Sequence, residues 1–242
     1  MRLLLLLLVL SYGTALTFPR PNSERHAFIV CSSAGNLPSA ANDAITHAVV
    51  WARLGFTLHH YLDVTPPQLT RIADRLRQHQ LKTTIHSIEA FQNDLLALTS
   101  LHYPIAPIDV IVALSSHGYR GNGHNYILFG GQQITDTQLR SWFMPLTAYS
   151  HIRVVAFVDT CHSGSMLGFT KTQATTICSI SACNNAESDM DDISTEFGFS
   201  GGLTAAVMDT LGNAESFDVG ALYTSCRQRL AAFGTHPQLT GL

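Results

Sequence analysis

The sequence predicts an α/β protein of one domain, built on a mostly parallel sheet that helices cover on both faces. Two observations indicate this fold. Short, continuously apolar runs, which are typical of buried strands, alternate along the chain with longer segments of helical periodicity. The 242 residues, of which 46% are hydrophobic and 13% charged, can enclose a core, and we find no repeat, linker or low-complexity segment that divides them.

The strand and helix predictions follow from the period of the apolar residues and from helix-start signals. The segments predicted as strands are His26–Ser33, Phe56–Leu62, Ile108–Ser116, 151–160, 174–182 and 236–242. The segments predicted as helices are Asn36–Leu54, 65–79, 87–101, 134–146, 201–212 and 219–234. Two starts are specific: Thr65 is followed by Pro66 at the first helical position, and the fourth helix begins near Thr135 or Asp136.

The first residues predict a secretory signal peptide. Arg2 precedes the apolar run Leu3–Leu10, and the small residues Gly13 and Ala15 follow it. We expect cleavage after Ala15, which leaves residues 16–242 as the folded domain and a secreted, vacuolar or lysosome-like destination. A membrane span needs about 20 apolar residues, so we expect none in the mature chain. An uncleaved anchor remains the alternative.

Charge and cysteine content exclude two classes of protein. The formal net charge is −3 and no basic patch is visible, so we expect no nucleic-acid partner. The five cysteines are an odd number without a C-x-x-C pair, which does not suit a disulfide framework and leaves at least one thiol free.

Chemistry-bearing residues follow two of the predicted strands. The strand Ile108–Ser116 runs into "SSHG", which places His117 just beyond its end, and the strand over 151–160 runs into "DTCHSG", which places Cys161 there. The carboxyl ends of parallel strands share one edge of a sheet, and a thiol needs a base to become a nucleophile. The sequence therefore predicts a Cys161–His117 pair, with His162 as an alternative base.

The other four thiols are predicted to be core residues, because small apolar side chains of this kind are commonly buried. These are Cys31, Cys178, Cys183 and Cys226.

In the order and residue composition of its motifs, the chain resembles the caspase–hemoglobinase superfamily of cysteine peptidases and, within it, a metacaspase. The motifs that carry this resemblance are "NDA" at 42–44, "SSHG" at 115–118, "DTCHSG" at 159–164, "SISAC" at 179–183, "GGLTAAV" at 201–207 and "HPQL" at 236–239.

The resemblance implies a caspase-like three-layer α/β/α sandwich that hydrolyses peptide bonds in peptide or protein substrates, after Arg or Lys. It implies that His117 is the base, that Cys161 forms the acyl-enzyme, and that the backbone N–H groups of Gly118 and Cys161 hold the oxyanion. The oligomeric state is not implied.

The resemblance also implies an acidic pocket for the substrate cation, formed by Asp43, Ser115 and Asp159. Asp191, with Asp189 as its neighbour, either adds to the pocket or belongs to a solvated loop. The alternative for Asp159 is a structural hydrogen bond at a strand end. Lys171 is a candidate processing site, because it is the only Lys or Arg between Arg153 and Arg227; the alternative is an ordinary exposed lysine.

Departures from the metacaspase pattern shape the remaining expectations. The segment after the "HG" has no carboxylate, and Asp136 stands alone where two adjacent acids are usual. We therefore expect no metal site, no cofactor and no calcium requirement. Ala40 replaces the usual pocket cysteine. Two alternatives stay open: a legumain-like asparaginyl peptidase or transamidase, which "DTCH" disfavours, and an inactive binding homologue.

Overall fold

The structure is a computed structural model that describes residues 16–34, 37–100, 106–169, 176–184, 187 and 193–241. The strands are β1 Thr17–Phe18, β2 Glu24–Ser32, β3 Thr57–Asp63, β4 Thr83–His86, β5 Ile108–Ser115, β6 Gly118–Gly121, β7 His124–Phe129, β8 Gln132–Thr135, β9 Ile152–Asp159, β10 Ile177–Ser181, β11 Ile193–Thr195, β12 Gly198–Ser200, β13 Phe217–Asp218 and β14 Gln238–Thr240. The helices are α1 Ala40–Arg53, α2 Pro66–Gln78, α3 Ala90–Ala97, α4 Asp136–Phe143, α5 Gly202–Leu211 and α6 Val219–Ala231.

A central sheet of seven strands organises the molecule, in the spatial order β14-β10-β9-β5-β2-β3-β4. Neighbouring strands from β10 to β4 are parallel, and β14 alone pairs antiparallel with its neighbour β10. The predicted mostly parallel sheet is confirmed.

Both faces of the sheet are apolar, as the continuous apolar runs require. Along β9, Val155 and Phe157 enter the core beneath α1, α2, α5 and α6, whereas Val154 and Val158 enter the core beneath α3 and α4. Successive side chains of a strand point to opposite faces, so one uninterrupted apolar strand serves both cores. The result is three layers, α/β/α.

Helix starts agree with the predicted signals at α2 and α4. Thr65 precedes α2, and its backbone N–H donates to the Gln68 side chain at 2.9 Å in a capping box. Thr135 accepts from the Gln138 backbone N–H at 3.0 Å at the start of α4. The predicted start of the first helix at Asn36 is wrong: α1 begins at Ala40, after a turn that contains Pro38.

Six of the seven strands of the central sheet were predicted; β4 and the short strands outside this sheet were missed because they are neither long nor continuously apolar. β6, β7 and β8 form a separate antiparallel sheet. Asn122 and Gly123, with φ of 49° and 79°, make the turn between β6 and β7. An Asn-Gly pair is a strong hairpin signal, so this hairpin could have been predicted.

None of the helices in the described part of the chain has both the length and the apolar character needed to cross a bilayer.

Two histidines, His47 on α1 and His60 on β3, are buried where this helix packs on the sheet. Burial lowers the pKa of each imidazole to about 4, against smaller opposing effects from the Asp159 charge on His47 and from the Ala44 carbonyl on His60. Their pKa in the unfolded chain is about 6.5, so the unfolded state takes up protons first as the pH falls. The stability that these neutral rings contribute is therefore complete above that pH and is lost towards pH 4.

We expect the free energy of unfolding to fall by up to about 2.7 kcal/mol per pH unit between about pH 6 and pH 4, about 1.36 kcal/mol for each histidine. Urea unfolding at a series of pH values measures this slope. His47→Gln, whose amide can keep both hydrogen bonds of the ring, should reduce the slope by up to about 1.36 kcal/mol per pH unit. His79→Gln, at an exposed position, should not change it. A midpoint independent of pH from 7 to 4.5 would contradict the account.

Candidate active site

The parallel pairing of β5 with β9 sets the position of the predicted pair. The register aligns Ser115, the last residue of β5, with Asp159, the last residue of β9. His117 and Cys161 each follow two residues later, and both are half-buried. The structure therefore places the two residues at the same edge of the sheet, on adjacent strand ends.

Gly118 brings the two strand ends into direct contact. A Cβ built on Gly118 would overlap the carbonyl oxygen of Cys161 and would lie 2.9 Å from Oγ1 of Thr160. A side chain at this position is thus excluded by backbone atoms of the Cys161 turn. The glycine after His117 is needed for close approach of the two segments, not for an unusual φ angle.

The turn that carries Cys161 is fixed on both sides. His162 has left-handed backbone with φ of 56°. Its N–H donates to the Glu187 carbonyl at 3.0 Å, and its carbonyl accepts from the buried Asn125 side-chain amide at 2.8 Å. The turn is therefore anchored to β7 on one side and to the segment after β10 on the other.

Glu187 extends this anchoring to the end of the chain. Its carboxylate accepts from the His236 backbone N–H at 2.9 Å and from the Asn184 side chain at 2.6 Å, and it pairs with His236 Nδ1 at 2.6 Å. Although burial opposes it, these hydrogen bonds lower the pKa of Glu187. The predicted motif residues near 183 and 236 thus meet behind the Cys161 turn.

The three residues predicted to form the pocket lie together. Ser115 donates its hydroxyl to Asp43 Oδ2 at 2.5 Å, and the backbone N–H of Gly201 donates to Asp43 Oδ1 at 3.0 Å. A Cβ on Gly201 would lie 2.5 Å from the Asp159 carboxylate, so this glycine allows the backbone to pass between the two acids. Asp43 and Asp159 are 1% and 4% exposed.

Asp159 has a structural partner in this arrangement. Its carboxylate accepts from the backbone N–H of Leu203 at 3.3 Å and from the backbone N–H and hydroxyl of Thr204 at 2.6 and 2.5 Å. A carboxylate at a helix N-terminus satisfies otherwise unpaired donors and suits the helix dipole. Asp159 therefore stabilises the start of α5. This is the structural hydrogen bond at a strand end that the sequence left open as the alternative role of Asp159.

A buried chain of hydrogen bonds continues from Asp159 to α1. Trp51 Nε1 donates to His47 Nδ1 at 3.1 Å, and His47 Nε2 lies 3.1 Å from Thr204 Oγ1. Indole nitrogen only donates, so His47 carries its proton on Nε2 and donates it to Thr204, whose own proton goes to Asp159. This chain of hydrogen bonds uses the neutral form of His47, in agreement with its lowered pKa.

Sequence reasoning missed two residues beside the acids, Asn42 and Ser200. Asn42 donates its side-chain amide to the Phe199 carbonyl at 2.5 Å, while Asn42 Oδ1 and Ser200 Oγ are buried without a hydrogen-bond partner among the described residues. Asn42 belongs to the quoted "NDA" motif, so its polarity was a usable signal. Ser200 had none beyond its position before two glycines.

The thiols divide as predicted. None of the five cysteines forms a disulfide; Cys161 is half-buried, and the other four are buried: Cys31, Cys178, Cys183 and Cys226. Burial, followed by the charges of Asp43 and Asp159, raises the pKa of Cys31 well above its usual value. Cys31 is therefore a neutral core thiol despite its place beside the acids.

The signal peptide, Lys171, Asp189 and Asp191 lie outside the described residues, and so they stay predictions. A cavity of about 220 Å³ lies elsewhere, between α3 and the β7–α4 region, with Phe91, Phe129 and Trp142 in its lining. It includes neither His117 nor Cys161.

Comparison with solved structures gives the fold a precedent. The chain is similar to caspase-1 from Spodoptera frugiperda, with a TM-score of 0.60 and 13% sequence identity over 91% of this chain and 87% of that chain. No protein-family model and no curated protein sequence matches the chain. The structural likeness confirms the predicted caspase-like α/β/α fold. At this identity it shows the fold alone, and the metacaspase resemblance stays a prediction.

The close approach at Gly118 can be tested by substitution. Gly118→Ala should lower the free energy of unfolding by about 1–3 kcal/mol, because the backbone of the Cys161 turn must move. Gly121→Ala is a matched control in the same strand, since its Cβ would lie 3.8 Å from the Tyr126 ring. Urea unfolding of both variants gives the comparison, and equal stabilities would show that the two segments are not packed as described.

Proposed function

We propose that this chain is a cysteine endopeptidase in which Cys161 is the nucleophile and His117 its base. The observation that carries the proposal is the meeting of two strand ends, β5 and β9, with Gly118 packed against the backbone of Cys161. Cys161 is also the one half-buried cysteine, whereas the other four are buried. A caspase-like fold is a suitable scaffold for this chemistry, although the fold by itself does not assign it.

In the proposed reaction, His117 takes the thiol proton and the Cys161 thiolate attacks the scissile carbonyl. The backbone N–H groups of Gly118 and Cys161 donate to the oxyanion, and the fixed turn around Cys161 keeps them in place. His117 returns the proton to the leaving amine. Water, deprotonated by the same histidine, then hydrolyses the acyl-enzyme.

For specificity, we propose cleavage after Arg or Lys. Asp43 and Asp159 are both buried against Gly201, and the hydrogen bonds described above reach them from neutral donors. Asn42 Oδ1 and Ser200 Oγ add two buried oxygens that have no hydrogen-bond partner in the part of the chain that the structure describes. A guanidinium group has five N–H donors and matches such a set of acceptors better than a neutral side chain does.

Access to these acids requires a movement. Both carboxylates are buried beneath Gly201, which directly follows the hairpin of β11 and β12. Asn42 and Arg71 fasten that hairpin by donating to the carbonyls of Phe199 and Phe197. We propose that a substrate cation displaces the segment around Ser200 and Gly201 and replaces its hydrogen bond to Asp43.

We further propose that residues 1–15 are removed as a signal peptide and that the enzyme works in the secretory pathway or its destinations. We propose that the activity does not require calcium. Asp136, the acid that stands alone in the segment where two are usual, is already hydrogen-bonded by His124 at 3.0 Å and by the Thr137 backbone at 2.7 Å.

The test is hydrolysis of matched fluorogenic peptides that end in Arg, Lys, Asn or Asp before the reporter group, with and without calcium. We expect cleavage after Arg and Lys at equal rates in both conditions. Cys161→Ala should abolish it, and His117→Ala should reduce kcat/KM by roughly 10²–10⁴-fold, as for loss of a general base. Circular dichroism confirms that the variants fold.

His162→Asn is the matched control, because asparagine tolerates the left-handed backbone at this position. His162→Asn should retain activity. If His162→Asn is inactive while His117→Ala is active, His162 is the base. Cleavage after Asn would favour the legumain-like alternative. A correctly folded protein that cleaves none of the peptides would contradict the proposal and favour a binding homologue.

A further inference from the structure

Three histidines lie side by side on one face of the sheet, well away from Cys161. They are His26 on β2, His59 on β3 and His86 on β4, with ring centroids 5.4 Å apart for the first two and 6.1 Å apart for the last two. His26 lies five residues before Cys31, which pairs with Ser115 at the other end of the strands. At about 3.3 Å per residue, this places the histidines about 17 Å from the candidate active-site edge.

Two ring nitrogens in this row face each other directly. His26 Nδ1 lies 3.2 Å from His59 Nε2, and His26 Nε2 lies 2.9 Å from the Glu24 carboxylate. The carboxylate only accepts, so the His26 proton is on Nε2 and Nδ1 presents a lone pair to His59. If the His59 proton moves to Nδ1, both facing nitrogens present lone pairs.

This geometry fits a metal ion. Two imidazole nitrogens bound to tetrahedral Zn²⁺ at about 2.0–2.1 Å are about 3.3 Å apart, close to the separation found here. A square-planar ion with the same bond lengths would bring them to about 2.9 Å. We propose that His26 and His59 bind Zn²⁺ between Nδ1 and Nε2, with water completing the coordination.

Glu24 supports the proposal from behind His26. Metal-binding histidines usually donate their other ring N–H to a carboxylate, which fixes the ring and its tautomer. The Glu24–His26 pair has this arrangement, and Glu24 and His26 share a face of β2 because they are two residues apart. This contact fixes the His26 tautomer in which Nδ1 carries no proton, as an ion between the two rings needs.

His86 provides an independent sign of a missing partner. Its Nδ1 lies 3.4 Å from the Asp94 carboxylate, while its Nε2 is buried without a hydrogen-bond partner among the described residues. Buried polar atoms of this kind usually have a partner such as water or an ion. A water molecule on the bound Zn²⁺ would supply one to His86 Nε2.

Nowhere in the described ranges do three His, Cys, Asp or Glu side chains form a ready-made metal site. The proposal is accordingly a two-histidine site. Both ligands remain partly accessible, because His26 is 17% exposed and His59 is half-buried, so an ion can enter without unfolding of the sheet. The proposal does not depend on the proposed peptidase activity.

Zinc titration by calorimetry tests the site, in a Cys161→Ala background that removes the accessible thiol. We expect one saturable Zn²⁺ site. His59→Gln and His26→Gln should each raise its Kd at least about tenfold, and Glu24→Gln should raise it by about tenfold or more, as is usual for loss of a supporting carboxylate. Zn²⁺ should also raise the thermal unfolding midpoint of the parent and not of His59→Gln.

His124→Gln is the matched control, because it removes an exposed histidine that is likewise paired with a carboxylate, Asp136. It should leave the Kd unchanged. Unfolding midpoints measured in the presence of a chelator show whether the variants fold. If His59→Gln does not fold, His26→Gln is used in its place. The proposal is overturned if the parent shows no saturable zinc binding, or if His26→Gln and His59→Gln bind zinc as tightly as the parent does.

Discussion

The parallel pairing of β5 with β9 is the constraint on which the candidate site depends. The register aligns Ser115 with Asp159, so β5 and β9 end at the same level of the sheet. Because His117 and Cys161 each follow two residues later, a shift of one residue would separate them by about 3.3 Å along the strand direction. The absence of a side chain at Gly118 then allows the two segments to touch. The geometry of the candidate site is thus fixed by backbone pairing and one glycine.

An acidic pair, Asp43 on α1 and Asp159 on β9, lies buried at the same edge of the sheet, and neutral donors stabilise it. Asp43 is held by Ser115 and Gly201, and Asp159 by the first turn of α5. Buried charges are expensive unless they are hydrogen-bonded. Asp159 therefore joins two roles: it anchors α5 in this arrangement, and in the proposed enzyme it faces a substrate cation. Removing Asp159 would disturb α5 as well as the proposed pocket, so the proposed specificity is better tested by substitution of Asp43.

Much of the fold could be predicted because its signals are local. Apolar runs such as Ile108–Ser116 identified the buried strands, and Thr65 and Thr135 marked helix starts at the right residues. The start of α1 was misplaced because helical periodicity continues through the turn at Pro38. The placement of His117 beside Cys161 followed from a general property of parallel sheets. The partners of Asp159, by contrast, come from a helix that starts 43 residues later, and no local pattern encodes them.

The central claim is that His117 activates the Cys161 thiol, and native alkylation measures this most directly. Iodoacetamide labelling across a pH series, followed by peptide mass analysis, reports each cysteine separately. The account predicts rapid labelling of Cys161 alone at pH 6 to 7, with a rate at least about tenfold lower in His117→Ala, since an ordinary thiol with a pKa near 8.5 is almost fully protonated there. Labelling of Cys161 that rises only near that ordinary pKa and is unchanged in His117→Ala would contradict it.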